Sequence, residues 1–420
     1  MSPRVQFAAA RAQFRRTLFT SAKPSGSATA RNWAINTALV AGVGFGAYYL
    51  TDTRSAAYRY VAMPLIRATL DAETSHRFAI AVLSAGLYPW DRSETADPAL
   101  EVHVFGKTLS SPVGLAAGFD KNGEAIDAVF NMGFSYAEVG SITPLPQAGN
   151  PLPRFFRLPK DSAAINRYGF NSDGHMRVLL RLRQRLHSHL THYPLPTAHS
   201  FRDGKLLAIN LGKNKTGDEI NDYVAGVNVL GNYADVLVIN ISSPNTPGLR
   251  NLQNEEKLGA LLKAVVDARD KLSTPLKPPV CVKIAPDLTE GEIAPMAKII
   301  KDSGIDGVIV SNTTISRPDS LRSPTALVNE VGGLSGPPVK PLALAAVRNM
   351  RKHIGPDFTI IGCGGISTGR DAVEFARAGA SFVQVYTAFA YEGPGTAARL
   401  RDEIKQELGG KRWMDIINSE

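Results

Sequence analysis

Ser243 stands where an apolar run turns abruptly polar, in Val236-Leu-Val-Ile-Asn-Ile-Ser-Ser-Pro-Asn-Thr-Pro-Gly248. The run has the pattern of a strand buried on both faces. It ends in Asn240, Ser242, Ser243 and Asn245, with Pro244 and Pro247 stiffening the backbone. In parallel α/β proteins ligands bind at the carboxyl ends of the strands, so a rigid cluster of hydroxyls and amides there is a candidate site. Two lysines, Lys121 and Lys283, also close apolar runs. One could hold a substrate carboxylate and the other stabilise a developing anion; Schiff-base chemistry is the rival role. No histidine or carboxylate is poised at a strand end as the base. That leaves Ser243, whose hydroxyl is a poor base alone and needs a water or hydroxyl relay in a closed site.

Two further subsites follow from residue type. Gly364-Gly365-Ile366-Ser367 opens a helix after a strand. Glycines let backbone N–H groups approach an anion, and a helix N-terminus favours negative charge, so this turn suits a phosphate. Tyr386-Thr387 and Ser335-Gly336 could complete it. Asn166, Asn240, Asn245 and Asn312 each offer a donor and an acceptor, a set that suits a neutral planar heterocycle with imide edges. Taken singly, any of these asparagines is as well explained as a turn residue.

The elements that must bring these groups together are eight apolar runs: 113–117, 136–139, 206–211, 236–241, 280–284, 307–310, 359–361 and 382–385. Amphipathic stretches follow them at 122–132, 173–190, 218–230, 255–272, 289–303, 338–353, 369–378 and 395–408. Eight β-then-α units in series predict an α/β fold of the (β/α)8 barrel kind, which needs ~250 residues or more with insertions. A doubly wound open sheet is the alternative. The runs end in 116–121, 140–141, Asn210, 240–243, Lys283, Ser311-Asn312-Thr313, 362–365 and Tyr386-Thr387, and a barrel collects all of them on one rim. Two long connections, 141–204 and 313–338, suggest functional lids.

Upstream of the barrel the chain changes character. The net charge is +9, but Arg4, Arg11, Arg15, Arg16, Lys23 and Arg31 all precede the first acid, Asp52. The basic balance is therefore largely N-terminal and is not a nucleic-acid signature. Residues 1–30 have the Arg, Ser and Ala composition of a mitochondrial presequence. Residues 33–50 carry no charge and have aromatics at both ends, as a single membrane-spanning anchor would within 31–51. Residues 52–95 read as a hairpin of two amphipathic helices split near Asp71, with apolar surface that could rest on a lipid bilayer. A small β-hairpin is expected at 101–109, around Gly106-Lys107, and the barrel domain spans 96–412. Cys281 and Cys363 lie inside apolar runs and suggest neither a metal site nor a disulfide.

Ala116-Ala-Gly-Phe-Asp-Lys121, Asn166-Arg-Tyr-Gly-Phe-Asn171, the Asn240–Thr246 segment, Val282-Lys-Ile-Ala-Pro286 and Ser311-Asn-Thr-Thr314 together resemble dihydroorotate dehydrogenase of the membrane-bound, quinone-reducing class. The resemblance covers about Thr53 to Gly393. It implies FMN, with phosphate at Gly336, Gly365, Tyr386 and Thr387, near Ser335, and ring contacts from Ala117, Gly118, Ser141, Asn210, Asn240, Lys283 and Ser311. It implies that dihydroorotate is held by Lys121, Asn166, Asn240, Asn245, Asn312 and Thr313, with Phe170 excluding water. Ser243 would remove the C5 proton, hydride would pass from C6 to the flavin, and ubiquinone would reoxidise it, on the mitochondrial inner membrane. The helical hairpin would form the quinone mouth, with Tyr58, His76 and Arg157 near the headgroup. Arg67 stands where the animal enzymes carry glutamine, and Ala390 where they carry threonine.

Two other functions compete. A soluble-type pyrimidine oxidoreductase using fumarate or NAD would carry a cysteine base and have no use for 33–90. A non-catalytic, membrane-tethered barrel binding a phosphorylated ligand would tolerate loss of Ser243 and show no flavin colour.

Overall fold

The computed structural model describes residues 26–93, 96–274 and 276–420. Most of the predicted presequence, residues 1–25, lies outside the described residues. The chain divides into two compact units, one ending at Leu50 and one running from Thr51 to Glu420.

Among the described residues of the first unit, a helix covers Gly26–Leu50. Its 21 residues Ala30–Leu50 are long and apolar enough to cross a membrane. At 1.5 Å per residue they would span about 30 Å, the thickness of a bilayer's hydrocarbon core.

The second unit opens with the expected helical hairpin. A π-helical turn at Tyr58–Ala62 runs into a helix at Met63–Thr69, and a second helix follows at Ala72–Ser84. The break falls at Asp71 for a chemical reason. Its carboxylate caps the second helix by accepting the N–H groups of Glu73 and Thr74, both at 3.0 Å.

Thirteen strands follow among the described residues: β1 (Val102–Val104), β2 (Lys107–Leu109), β3 (Val113–Leu115), β4 (Tyr136–Ile142), β5 (Phe155–Leu158), β6 (Ala163–Asn166), β7 (Leu206–Leu211), β8 (Val236–Asn240), β9 (Val280–Ile284), β10 (Gly307–Val310), β11 (Gly333–Ser335), β12 (Thr359–Cys363) and β13 (Phe382–Val385). β1 and β2 form the predicted small hairpin. Eight strands close a parallel barrel in the order β3-β4-β7-β8-β9-β10-β12-β13. These are the eight apolar runs, and helices at 126–131, 175–190, 221–230, 255–270, 290–302, 340–354, 369–377 and 396–408 follow them in turn.

Burial explains why the runs had no alternation. Val113, Leu207, Val236, Leu237, Val280, Val282, Ile309 and Val383 are wholly buried, because one face fills the barrel and the other packs on helices. A fully buried Val, Leu or Ile side chain contributes about 1.5–3 kcal/mol. Register then levels the polar tips: Asn240 of β8 pairs with Lys283 of β9, and Cys363 of β12 with Gln384 of β13.

The two long connections are not independent lids. β5 and β6 come from the first and β11 from the second, and they form one antiparallel sheet in the order β11-β6-β5. Ser335 thereby lies opposite Ala164, and Gly333 opposite Asn166.

Candidate active site

At the carboxyl ends of the barrel strands lies a cavity of about 690 Å³. One end is a glycine turn. Gly364 and Gly365 have φ of +124° and +78°, and a Cβ on Gly365 would stand 2.5 Å from the backbone nitrogen of Lys340. A Cβ on Gly336, at φ +100°, would stand 2.8 Å from the carbonyl oxygen of Ser162. Only glycine fits either position. Asp371 accepts the N–H groups of Ser367 and Thr368 at 2.9 and 2.8 Å, so those two are spent on capping the following helix. Thr387 donates to the Ser335 hydroxyl at 3.0 Å. Gly336, Gly365, Tyr386, Thr387 and Ser335 thus share this end.

The middle of the cavity is a chain of amides and hydroxyls. Asn240 donates through Nδ2 to Ser141 Oγ at 2.8 Å, and Asn312 Nδ2 donates to Asn240 Oδ1 at 3.1 Å. Asn312 Oδ1 accepts the Thr313 N–H at 2.8 Å. Asn245 Nδ2 donates to Asn166 Oδ1 at 3.2 Å. Ser243 is 6% exposed and lines the cavity; its Oγ accepts the Asn245 N–H at 3.3 Å. Phe170 lines the same wall in left-handed backbone at φ +56°, a conformation that costs a bulky residue of the order of 1–3 kcal/mol. Ala117, Gly118 and Ser311 border the cavity too.

The floor is charged. Glu138 of β4, 2% exposed, accepts from Asn210 Nδ2 at 2.6 Å and from Gln384 Nε2 at 2.5 Å. Lys283 Nζ lies 3.6 Å from Glu138 Oε1. Lys283 and Gln384 line the cavity, whereas Asn210 lies behind them, fully buried. Cys363 also lines it, but burial pushes its thiol up, with the Lys283 cation opposing. It is a protonated sulfur, remote in role from a thiolate base.

Lys121 forms the opposite wall. Burial and the Arg154 cation lower its ammonium to about 8, with Glu73 opposing. Arg154 grips Glu73 through Nε and Nη2, the latter at 2.8 Å, and so ties the barrel loop to the helical hairpin. The hairpin closes the far end of the cavity with Arg59, Tyr60, Pro64 and Arg67. Arg67 donates to the Tyr391 carbonyl and its guanidinium lies 5.3 Å from that ring's centroid.

Three residues expected at this mouth do not border the cavity. Tyr58 sits beyond the lining set. His76 donates through Nε2 to the Phe119 carbonyl at 2.6 Å and packs against the Phe119 and Tyr168 rings. Burial and the Lys121 cation lower its imidazole to about 4, so it is neutral near pH 7. Arg157 reaches the hairpin's main chain, donating to the carbonyls of Arg67 at 3.2 Å, Leu70 at 2.7 Å and Asp71 at 3.2 Å, and to the Ser75 hydroxyl.

The sequence model of the family described as dihydroorotate dehydrogenase matches residues 99–408. The chain belongs to the dihydroorotate dehydrogenase family. A Schizosaccharomyces pombe protein named dihydroorotate dehydrogenase (quinone), mitochondrial, is 50% identical over 96% of this chain and 94% of its own. A Mus musculus protein of the same name is 47% identical over 93% and 97%. The crystal structure of a dihydroorotate dehydrogenase from Eimeria tenella in complex with ferulenol superposes with a TM-score of 0.77 at 43% identity, covering 83% of this chain and 95% of that one. Dihydroorotate dehydrogenases are flavin-dependent oxidoreductases, and this chain carries that fold over its whole barrel.

Sequence reasoning on this dehydrogenase missed Glu138, Gln384, Glu73 and Arg154. The first two had a signal: a lone acid and a lone amide inside strands otherwise apolar, Tyr136-Ala-Glu-Val and Phe382-Val-Gln-Val. Polar groups in such strands need partners, and here they find each other.

Proposed function

We propose that this chain is a quinone-linked dihydroorotate dehydrogenase of the mitochondrial inner membrane, serving pyrimidine biosynthesis with FMN as its resident cofactor. Four regions make up the chain in this reading: a presequence at 1–30, a membrane anchor at 31–51, a quinone-access hairpin at 52–95 and the barrel at 96–412. The carrying observation is that one cavity joins a glycine turn, an amide chain beside a buried serine, a charged floor and the hairpin residues Arg59, Tyr60, Pro64 and Arg67.

FMN fits the residues present. The glycine turn offers no room for side chains, as close approach of a phosphate requires. Gln384, on the floor, keeps a buried Oε1 with no hydrogen-bond partner among the described residues. Gly336, Gly365, Tyr386 and Thr387 would hold the phosphate. Ala117, Gly118, Ser141, Asn240, Ser311 and Lys283 would hold the ring, while Asn210, expected among them, lies behind the floor and braces it through Glu138. When bound, FMN supplies the acceptor for the substrate's hydride and passes the electrons on to ubiquinone.

The chain's own residues do the rest. The Lys121 ammonium binds the carboxylate of dihydroorotate by a charge-assisted hydrogen bond. Asn166, Asn245, Asn312 and Thr313, already hydrogen-bonded among themselves, orient its imide edge with amides fixed in advance. Ser243 Oγ takes the C5 proton as its own hydroxyl proton passes on to a water or hydroxyl relay. Phe170 covers that hydroxyl and keeps bulk water from it, which strengthens every polar contact inside. The Lys283 cation stabilises negative charge developing across the floor. Arg67, Tyr60 and Pro64 frame the route by which a lipid-soluble quinone reaches the opposite end, with Tyr58, His76 and Arg157 supporting the frame.

Detergent-solubilised protein, examined anaerobically, tests the reading. Its visible flavin absorbance is expected to bleach on adding dihydroorotate and to return on adding a short-chain ubiquinone. Colourless protein, or flavin indifferent to dihydroorotate, would reject it.

A further inference from the structure

The carboxylate of Glu138 has no place in the chemistry above, yet it is buried beneath the cavity floor with three partners. Glu138 Oε1 accepts from Asn210 Nδ2 and Oε2 accepts from Gln384 Nε2, at 2.6 and 2.5 Å. The Lys283 ammonium lies 3.6 Å away, and the Glu138 side chain is wholly shielded from solvent.

Each amide directs one N–H of its terminal group at this one carboxylate. A carboxylate can only accept, so neither amide can turn over without losing a charge-assisted bond. Their carbonyl oxygens are thereby left over, and the structure finds both Asn210 Oδ1 and Gln384 Oε1 buried without a partner among the described residues. A buried acceptor without a donor is costly, so each of these oxygens calls for one. Gln384 borders the cavity, so the donor belongs to whatever fills it.

We propose that Glu138 is a positioning residue: by fixing the flip of Gln384 and the place of the Lys283 ammonium, with Asn210 bracing it from behind, it makes the floor read the imide edge of the flavin, the Gln384 acceptor oxygen toward the ring N–H and the cation toward a ring carbonyl. This rests on the FMN reading above. It assigns cofactor selectivity and flavin tuning to a strand residue that touches neither cofactor nor substrate. It also gives the buried anion an electrostatic effect. A fixed negative charge beside Lys283 offsets part of that cation and so holds the flavin's potential down.

The test is Glu138→Gln, which keeps the shape, deletes the charge and puts an N–H2 where an acceptor stood. The Gln384 amide, facing that new N–H2, must then turn its own N–H2 toward the cavity. Midpoint potential by equilibrium titration, flavin absorbance maximum and FMN retention are read on the solubilised holoenzyme. Expected are a more positive potential, a displaced absorbance maximum and FMN held about tenfold more weakly, the equivalent of one lost bond of ~1.4 kcal/mol. A folded Glu138→Gln protein with wild-type potential and spectrum would overturn the proposal. Should that variant fail to fold, Gln384→Met decides: it leaves Glu138 in place but removes the cavity-facing acceptor. A displaced absorbance maximum and weakened FMN retention support the proposal, and unchanged ones overturn it. Wild-type protein without flavin would instead sink the functional reading itself, so the two failures are distinguishable.

Discussion

The ammonium of Lys121 lies 4.1 Å from the centroid of the Tyr168 ring, a cation held on an aromatic face in a closed pocket. The Arg154 guanidinium lies over the same ring, 5.1 Å from its centroid. Two cations share one ring, and Glu73 counters the second at 2.8 Å. Burial and this crowding are why Lys121 is lowered to about 8.

Lys121 therefore loses its proton just above neutrality. As kcat/KM reports groups of the free enzyme, its value for dihydroorotate is expected to fall as pH rises through about 8. Lys121→Arg, which stays charged, should erase that limb, and Lys121→Ala should lower kcat/KM about 10–100-fold at pH 7, the worth of one charge-assisted bond. Steady-state rates against pH decide; a limb that persists in the arginine variant belongs to another group.

Ser243 is buried in the amide chain but is no part of the glycine turn. Ser243→Ala should keep its FMN while flavin reduction by dihydroorotate slows by about 10²–10⁴, the usual worth of a positioned base. Anaerobic stopped-flow reads this directly. Reduction at the wild-type rate would remove Ser243 from the proton's path.

Arg67 touches the other end of the cavity, braced on the Tyr391 carbonyl and ring. Arg67→Gln should raise the KM for a short-chain ubiquinone several-fold and leave flavin reduction by dihydroorotate unchanged. Equal effects on both half-reactions would show that the hairpin is not a separate acceptor route.

Acid should weaken the fold through its buried imidazoles. His76 and His175 are each lowered to about 4 by burial, while an exposed imidazole titrates near 6.5. Between those values the unfolded chain binds protons that the folded chain does not. Stability is therefore present above pH 6.5 and lost as pH falls toward 4. Thermal melts of His76→Gln at pH 7 and pH 5 should show a smaller loss than wild type; an identical loss would assign the effect elsewhere.

The barrel was legible because its eight strands are buried on both faces, which leaves an unbroken apolar signature. Their polar ends were legible for the same reason, as departures from that signature. The helix expected from 122 begins only at Ile126, because Asp120 accepts the N–H groups of Asn122, Glu124 and Ala125 and winds the intervening residues into a loop. The β11-β6-β5 sheet was not legible: its strands are three or four residues long, and Ser335 meets Ala164 across more than half of the barrel's sequence. Glu138 and Gln384 could each be seen as odd. That β4 and β13 flank β3 on a closed ring, bringing the two into contact, is a property of closure and not of either strand.

Arg157 grips the helical hairpin by three main-chain carbonyls and one hydroxyl. Every amino acid carries a carbonyl, so those handles survive nearly any replacement of Arg67, Leu70 or Asp71. Evolution is thus free to rewrite the side chains on that face of the hairpin while the clasp beneath them stays shut. Sequence differences among these proteins should accordingly accumulate on that hairpin without a matching loss of its attachment to the barrel.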